Sequence, residues 1–449
     1  MDVALPPLPV GNSGELPAFN LHHHIAPGSS MNRSAASLII LALTATASAA
    51  ESPTPRVVDC DQPVQSRKRG LCANQLAAAD FTAMAPGVSW FYNWHFTTSD
   101  MPPAGVPVEF VPMAWGAQPE TLPGLEAYLA AGHKPRVVLG INEPNLRGQA
   151  LMPPADAAAL FTQIKAITDK YHVPLIAPNM AIGSAPKDSV TALDPLEKKD
   201  VTYTFMGPYL KAFLHFLGTT EVAGLGVHSY KDLGELQWVV GMMHKEYQRP
   251  VWVTEYAQWT TASDSAARDY LIQATDLLER TPYVDGYAWF KERVGKNPRI
   301  SLFSAESGKL TPLGETYVAM PVHDADLYYR IPGRLQAERY VAFDKATIHA
   351  TGDGEGFLDM TITGNGGWID YNVQVDAAGT YGLTLRASGK DGLHIEILSG
   401  AAVLARVTSD QHAWQDCPTQ VKLPAGAQTL RLRSTGKDTA INWLAFVKR

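Results

Sequence analysis

The sequence predicts an α/β fold, a (β/α)8 barrel, followed by an all-β sandwich of the jelly-roll kind. Three observations predict it. Between residues 68 and 318, eight short apolar runs alternate with amphipathic helical stretches, and about 250 residues is the size of one such barrel. Most of those runs are continuously apolar, as parallel strands buried on both faces require. Beyond residue 320 the apolar period falls to two, with Gly- and Pro-rich turns between segments, the pattern of antiparallel β structure.

Composition sets the outer bounds. The 449 residues leave room for two or three domains, and 46% apolar with 18% charged residues permits a large core and excludes global disorder. Lys and Arg number 37 against 44 Asp and Glu, a net charge of −7. That balance argues against nucleic acid or an anionic membrane as partner. Three cysteines exclude a disulfide scaffold and multi-cysteine zinc modules.

Taken in order, residues 1–30 are rich in Pro, Gly and Ser and carry His22-His23-His24, which reads as an unstructured leader or tag-like extension. Residues 31–50 have the layout of a signal peptide: Arg33, an apolar stretch over 38–43, and Ala47-Ser48-Ala49 as the cleavage site. The apolar stretch is too short to span a bilayer, so a soluble, secreted protein is expected. Export permits disulfides, and Cys60 and Cys72 are spaced to close a small loop. Residues 66–320 form the expected barrel. Its strands are read at 69–71, 88–94, 109–115, 136–141, 175–178, 224–228, 251–255 and 286–290. Helices are read at 156–171, where Leu160, Phe161, Ile164, Ile167 and Tyr171 keep a 3.6 period, and at 266–280, with Asp264 as its cap. An open doubly wound sheet would need a Gly-rich first turn, and Gly70-Leu71-Cys72-Ala73-Asn74 is not one. Residues 321–333 read as a linker ending at Ile331-Pro332-Gly333. The sandwich covers 334–449, with strands at 368–375, 381–388, 393–398, 420–423, 429–434 and 440–447.

Reacting groups of a barrel sit at the C-terminal ends of its strands. Those ends read Asn93-Trp94-His95, Trp115, Asn142-Glu143-Pro144-Asn145, Asn179, His228-Ser229-Tyr230, Glu255-Tyr256 and Trp289-Phe290. Glu143 closes the fourth strand and Glu255 the seventh, so two carboxylates face each other across the mouth. One protonated and one ionised carboxyl are what glycosidic cleavage needs. Asn142 suits a sugar 2-hydroxyl, Asn179 and Tyr230 are further sugar contacts, and Trp94, Trp115, Trp259 and Trp289 offer flat faces for sugar rings. His228 contacts substrate or nucleophile, or braces the mouth.

Asn142-Glu143-Pro144-Asn145 and Trp252-Val253-Thr254-Glu255-Tyr256 resemble the retaining (β/α)8 glycoside hydrolases. Together with Lys68-Arg69-Gly70, Ser89-Trp90-Phe91-Tyr92-Asn93-Trp94, Glu109-Phe110-Val111-Pro112-Met113 and His228-Ser229-Tyr230, they resemble glycoside hydrolase family 128. Cys72-Ala73-Asn74 departs from the Gly or Tyr expected near the first strand. The resemblance implies an endo-β-1,3-glucanase with Glu143 as general acid/base, Glu255 as nucleophile and no catalytic cofactor. Leu335-Gln336-Ala337-Glu338, Gly367-Trp368-Ile369-Asp370-Tyr371, His412-Ala413-Trp414 and Ile441-Asn442-Trp443 resemble carbohydrate-binding modules of family 6. That implies Phe357 and Trp414 sandwiching a sugar, Asn442 bonding it, and Gln336 and Glu338 holding a structural calcium. The partner expected is a β-glucan polysaccharide or oligosaccharide, bound by a monomer, with no nucleic acid and no membrane. Two alternatives stand beside this reading: a retaining hydrolase of another β-linked glycan (xylan or β-1,4-glucan), and a glucan-binding protein without catalysis.

Overall fold

The computed structural model describes residues 55–449; the leader and signal-peptide readings over residues 1–50 lie outside the described residues. In the first part of the chain the strands are β1 (Arg56–Asp59), β2 (Ser66–Cys72), β3 (Val88–Tyr92), β4 (Glu109–Phe110), β5 (Ile176–Ala181), the hairpin β6 (Thr191–Asp194) and β7 (Lys199–Thr202), β8 (Gly224–Ser229), β9 (Val251–Tyr256) and β10 (Val284–Phe290). Helices α1 (Ala78–Met84), α2 (Thr121–Ala130), α3 (Pro154–Lys170), α4 (Met206–Leu217), α5 (Leu233–Tyr247), α6 (Asp264–Arg280) and α7 (Pro312–Ala319) lie between and after them. Seven strands make one parallel sheet in the order β4-β3-β2-β10-β9-β8-β5.

The expected strand over 136–141 is not a continuous ladder but isolated parallel bridges to Met113, Leu175 and Asn179. Its backbone nevertheless bonds on both sides. Leu139 donates to Pro112 and Asn142 to Trp115, while Val138 donates to Pro174 and Glu143 to Asn179. Pro112 and Pro174 lack an N–H, which interrupts the ladder that the apolar pattern foretold. Likewise β4 is two residues long because Pro107 and Pro112 bracket it. Helix α6 is capped by Ser263, whose hydroxyl accepts from Ala266 N at 3.1 Å; Asp264, expected as the cap, is its first residue.

At the N-terminal end of the sheet Arg69 is fully buried. Its guanidinium donates to Tyr287 Oη (3.1 Å) and to the carbonyls of Tyr317, Met320 and Pro321, with Glu279 at 3.5 Å. This fastens the end of α7 under the sheet. Removing one partner of a buried pair leaves the other charge uncompensated. Arg69→Met should therefore cost about 3–5 kcal/mol in urea unfolding, with the transition remaining cooperative.

The rest of the chain is sheet-rich. Strands β11 (Leu327–Ile331), β12 (Gly333–Gln336), β13 (Ala342–Asp344), β14 (Ala346–Ala350), β15 (Leu358–Ile362), β16 (Trp368–Val375), β17 (Gly379–Gly389), β18 (Leu393–Ser399), β19 (Ala402–Ser409), β20 (Gln415–Leu423), β21 (Gly426–Ser434) and β22 (Thr439–Lys448) form two sheets. One runs β1-β11-β16-β21-β18-β19 with β13 beside β16, the other β14-β15-β22-β17-β20 with β12 beside β22. Residues along β17 alternate between buried and half-buried, the period-2 signature of one inward face.

Two features were not expected. Residues 321–333, read as a linker, contain β11, and β1 from ahead of the first domain pairs with it in parallel. The seam is also polar and specific. Asp276 on α6 accepts from Tyr340 Oη, from His323 Nε2 at 3.0 Å and from Arg280 Nε at 3.2 Å. Cys60 and Cys72 are free and buried, as is Cys417. Cys60 Sγ donates to Arg330 O and Cys72 Sγ to Thr254 O, so no bridge joins them. Among the described residues no helix is long and apolar enough to cross a membrane.

Candidate active site

The parallel strands bring one set of side chains to their C-terminal ends. There a cleft is lined by Asn74, Trp94, Asn142, Glu143, Gln149, Glu255, Trp259 and the segment 290–296 apart from Glu292. Both glutamates are nearly buried. Glu143 and Trp94 have φ of +41° and +61°, a left-handed region that side chains rarely adopt. Such strain persists only where the surroundings impose it, commonly at functional sites.

His228 stands between the carboxyls. Its Nδ1 is 2.8 Å from Glu143 Oε1 and 3.4 Å from Glu255 Oε2. Glu255 receives three donors: Trp94 Nε1 at 2.7 Å, Tyr92 Oη at 3.0 Å, and Tyr230 Oη on its other oxygen. Tyr92 Oη also lies 3.1 Å from Thr254 O, so its one proton has two acceptors within reach. Glu143 has no such set of donors. Burial raises its pKa, the charge and hydrogen bond of His228 oppose this, and the nearby Glu255 charge adds to it; the net direction is up. Two carboxyls in one cleft thus have different environments, which is how acid and base roles are divided.

Asn142 donates through Nδ2 to Gln149 Oε1 at 3.1 Å, and its buried Oδ1 has no partner. A buried acceptor left open in a cleft suits a ligand hydroxyl. Tyr230, expected as a sugar contact, donates to Glu255. Trp94 holds Glu255 by its edge, with Lys291 Nζ 5.7 Å from its ring centre, and Trp259 lines the cleft.

Other expected contacts are elsewhere. Trp289 is fully buried, with Nε1 on Ile300 O and its ring edge-on to Tyr256, so it packs the core and offers no face to a sugar. Trp115 is half-buried and outside the cleft lining, where its carbonyl fixes Asn142 N. Asn179 is fully buried behind the site, with its Oδ1 accepting from Thr254 and its Nδ2 donating to Gly140 O. Its close approach to β8 needs Gly226, where a Cβ would lie 2.2 Å from Asn179 Oδ1.

Sequence reading missed Tyr92, Thr254, Gln149, Asn74 and Lys291. Tyr92 was within reach, because it lies two residues before Trp94 and therefore on the same strand face. Thr254, a lone hydroxyl inside an apolar strand, was a second signal.

In the C-terminal part, Asn442 is fully buried and its Nδ2 donates to Asp353 Oδ2 and Glu355 O. It braces the loop over 351–357 and does not face solvent as a sugar contact. Phe357, 45% exposed, lines a second cavity together with residues 318–322, Gln336 and Glu338; Trp414 is not part of that lining. Trp414 instead lies beside Gly352. Among the described residues no three His, Cys, Asp or Glu side chains converge on a metal site. Glu338, 8% exposed, has an Oε2 without a partner, and burial pushes its carboxyl up to about 7. Gln336 lines the same cavity; both side chains carry oxygen donors, the type calcium takes, though two fall short of its six to eight.

Residues 70–317 match a family model described as glycosyl hydrolase catalytic core, and residues 336–448 match one described as carbohydrate binding module (family 6). A glycoside hydrolase family 128, subgroup II, endo-β-1,3-glucanase from Pseudomonas viridiflava is 31% identical over 58% of this chain and 100% of its own, with a TM-score of 0.50. The subgroup II enzyme from Sorangium cellulosum is 27% identical over 57% of this chain and 100% of its own, with a TM-score of 0.49. A subgroup III curdlan-specific exo-β-1,3-glucanase from Blastomyces gilchristii is 26% identical over 56% of this chain and 97% of its own, with a TM-score of 0.43. No curated protein matches.

Proposed function

This chain belongs to the glycosyl hydrolase catalytic-core family, in glycoside hydrolase family 128, and carries a family 6 carbohydrate-binding module; from that premise we propose that it is an exported endo-β-1,3-glucanase that cleaves with retention. The observation that carries the reading is His228 Nδ1 within 2.8 Å of one carboxyl and 3.4 Å of the other. The two oxygens lie closer than those distances laid end to end. For the two nearest oxygens that bound is below the roughly 6.5–9.5 Å carboxyl spacing of an inverting pair, which supports the roughly 5–5.5 Å of a retaining one.

In this mechanism Glu255 attacks the anomeric carbon while Glu143 gives its proton to the departing glycosidic oxygen. A water then gives a proton back to Glu143 and displaces Glu255. Asn142 Oδ1 accepts from the sugar 2-hydroxyl, a contact that strengthens at the transition state. The segment over 138–143, bonded to both edges of the parallel sheet, supports reading that sheet as a closed (β/α)8 barrel. The C-terminal sheets are read as a jelly-roll sandwich. Export rests on the 31–50 pattern alone.

The likeness to the Pseudomonas viridiflava endo-β-1,3-glucanase, 31% identical, supports β-1,3-glucan over xylan or β-1,4-glucan as substrate. Reducing-end release from laminarin, curdlan, xylan and a β-1,4-glucan tests it: cleavage of the first two supports the reading, and cleavage confined to the others overturns it. For the module, Gln336 and Glu338 would hold calcium, whose charge would pair the open Glu338 oxygen. Calcium should raise the unfolding temperature of the protein, chelator should lower it, and Glu338→Gln should remove the response.

A further inference from the structure

We propose that Asn179 and Thr254 act as positioning residues that fix the tautomer of His228, and through it the site of the proton that Glu143 delivers. The argument follows the hydrogen bonds from the outside in. Asn179 donates through Nδ2 to Gly140 O at 3.1 Å, which turns its Oδ1 toward β9. Thr254 Oγ1 donates to that Oδ1 at 2.9 Å, so its only proton is committed. The same Oγ1 lies 3.1 Å from His228 Nε2, and with its proton used it can only accept. Nε2 must therefore carry hydrogen. A neutral imidazole then presents its Nδ1 lone pair to Glu143 Oε1 at 2.8 Å. That contact holds a single proton, on either partner, which moves to the glycosidic oxygen as the bond to the anomeric carbon breaks. Asn179, Thr254 and His228 are nearly or fully buried, so water does not compete for the Thr254 hydroxyl or for Nε2.

The relay rests on the functional reading above for its purpose, but its geometry stands apart from it. The charged and titratable groups facing Glu143 are His228 on β8, Glu255 on β9 and Tyr230 just after β8. Lys291, Arg293 and Lys296 share the cleft from beyond β10. Thr254→Val keeps the shape and removes the acceptor. The neutral imidazole then gains by placing its proton on Nδ1, where it donates to the Glu143 carboxylate and stabilises the ionised form. The acid is therefore lost at lower pH.

Two readouts test this in the full-length protein. Nitrogen-15 NMR of the imidazole should report hydrogen on Nε2 in the wild type and on Nδ1 in Thr254→Val, at a pH where the ring is neutral. The alkaline limb of kcat/KM on laminari-oligosaccharides should move down by about one pH unit, the size of one hydrogen bond, and Thr254→Ser should return it. A wild type with Nε2 bare, or a Thr254→Val limb that stays in place while the whole profile falls, overturns the proposal. If no β-glucan is cleaved at all, the functional reading fails, and the NMR arm still decides the relay.

Discussion

Glu255→Ala should reduce kcat/KM on laminari-oligosaccharides by on the order of 10⁵-fold, the scale on which deleting a nucleophile acts in other covalent mechanisms. The prediction follows from the three side chains that hold the Glu255 carboxyl in place at the cleft, Trp94, Tyr92 and Tyr230, and orient it for attack. Folding should survive, because the donors that lose their partner line or adjoin an open cleft where water can replace it. Azide fits the vacated space and should attack from the same face as the missing carboxylate. An α-configured glycosyl azide from a β-linked donor is the expected product, and a β-configured one would mean that the two glutamates have been assigned in reverse.

Glu143→Gln should fail differently. On unactivated oligosaccharides the loss should be about 10²–10⁴-fold, the usual worth of a positioned acid. Activated aryl glycosides need little protonation, so they should still glycosylate Glu255, and the enzyme should then stall because the residue that activates water is gone. Azide needs no base and should restore turnover with a β-glycosyl azide as product. The wild-type pH profile carries the same residue's signature. Glu143 is effective while protonated, and burial raises its pKa above the ordinary glutamate range. Activity should therefore persist past that range and fall as pH rises through the raised value. With an aryl glycoside as substrate, the glycosylation step of Glu143→Gln should lack that alkaline limb. A wild-type limb at ordinary glutamate pH would show that burial does not govern the acid.

The two glutamates were legible because each follows a continuous apolar run, and strand ends of one parallel sheet must meet on one side. The aromatic shell was less legible. Trp94 and Trp289 both sit near strand ends, yet Trp94 turns into the cleft on a left-handed backbone and Trp289 turns outward to pack on Tyr256 and Tyr270. No local pattern encodes that choice, which is set by the strand's facing. Asn179 was found for the wrong reason, since its contact with Thr254 crosses 75 residues of chain. The long β-strands at 368–375 and 440–447 were read within a residue, because period-2 alternation is strong there. The strands over 327–362 were missed: they are three to five residues long, too short for a period to show. The β1 segment could not be read at all from pattern, because its partner β11 is some 270 residues away in sequence and belongs to the other domain.

The anomeric form of the first sugar released tests the central claim most directly. Proton NMR of laminari-oligosaccharide cleavage, followed from the first minutes before mutarotation, separates newly formed α and β reducing ends. Two carboxyls that both approach one histidine nitrogen, at 2.8 and 3.4 Å, stand close for the single displacement of an inverting pair, so the β-anomer should appear first and the α-anomer only later, by mutarotation. Initial release of the α-anomer from the β-linked chain would contradict the double displacement through Glu255, and with it the roles assigned to both glutamates.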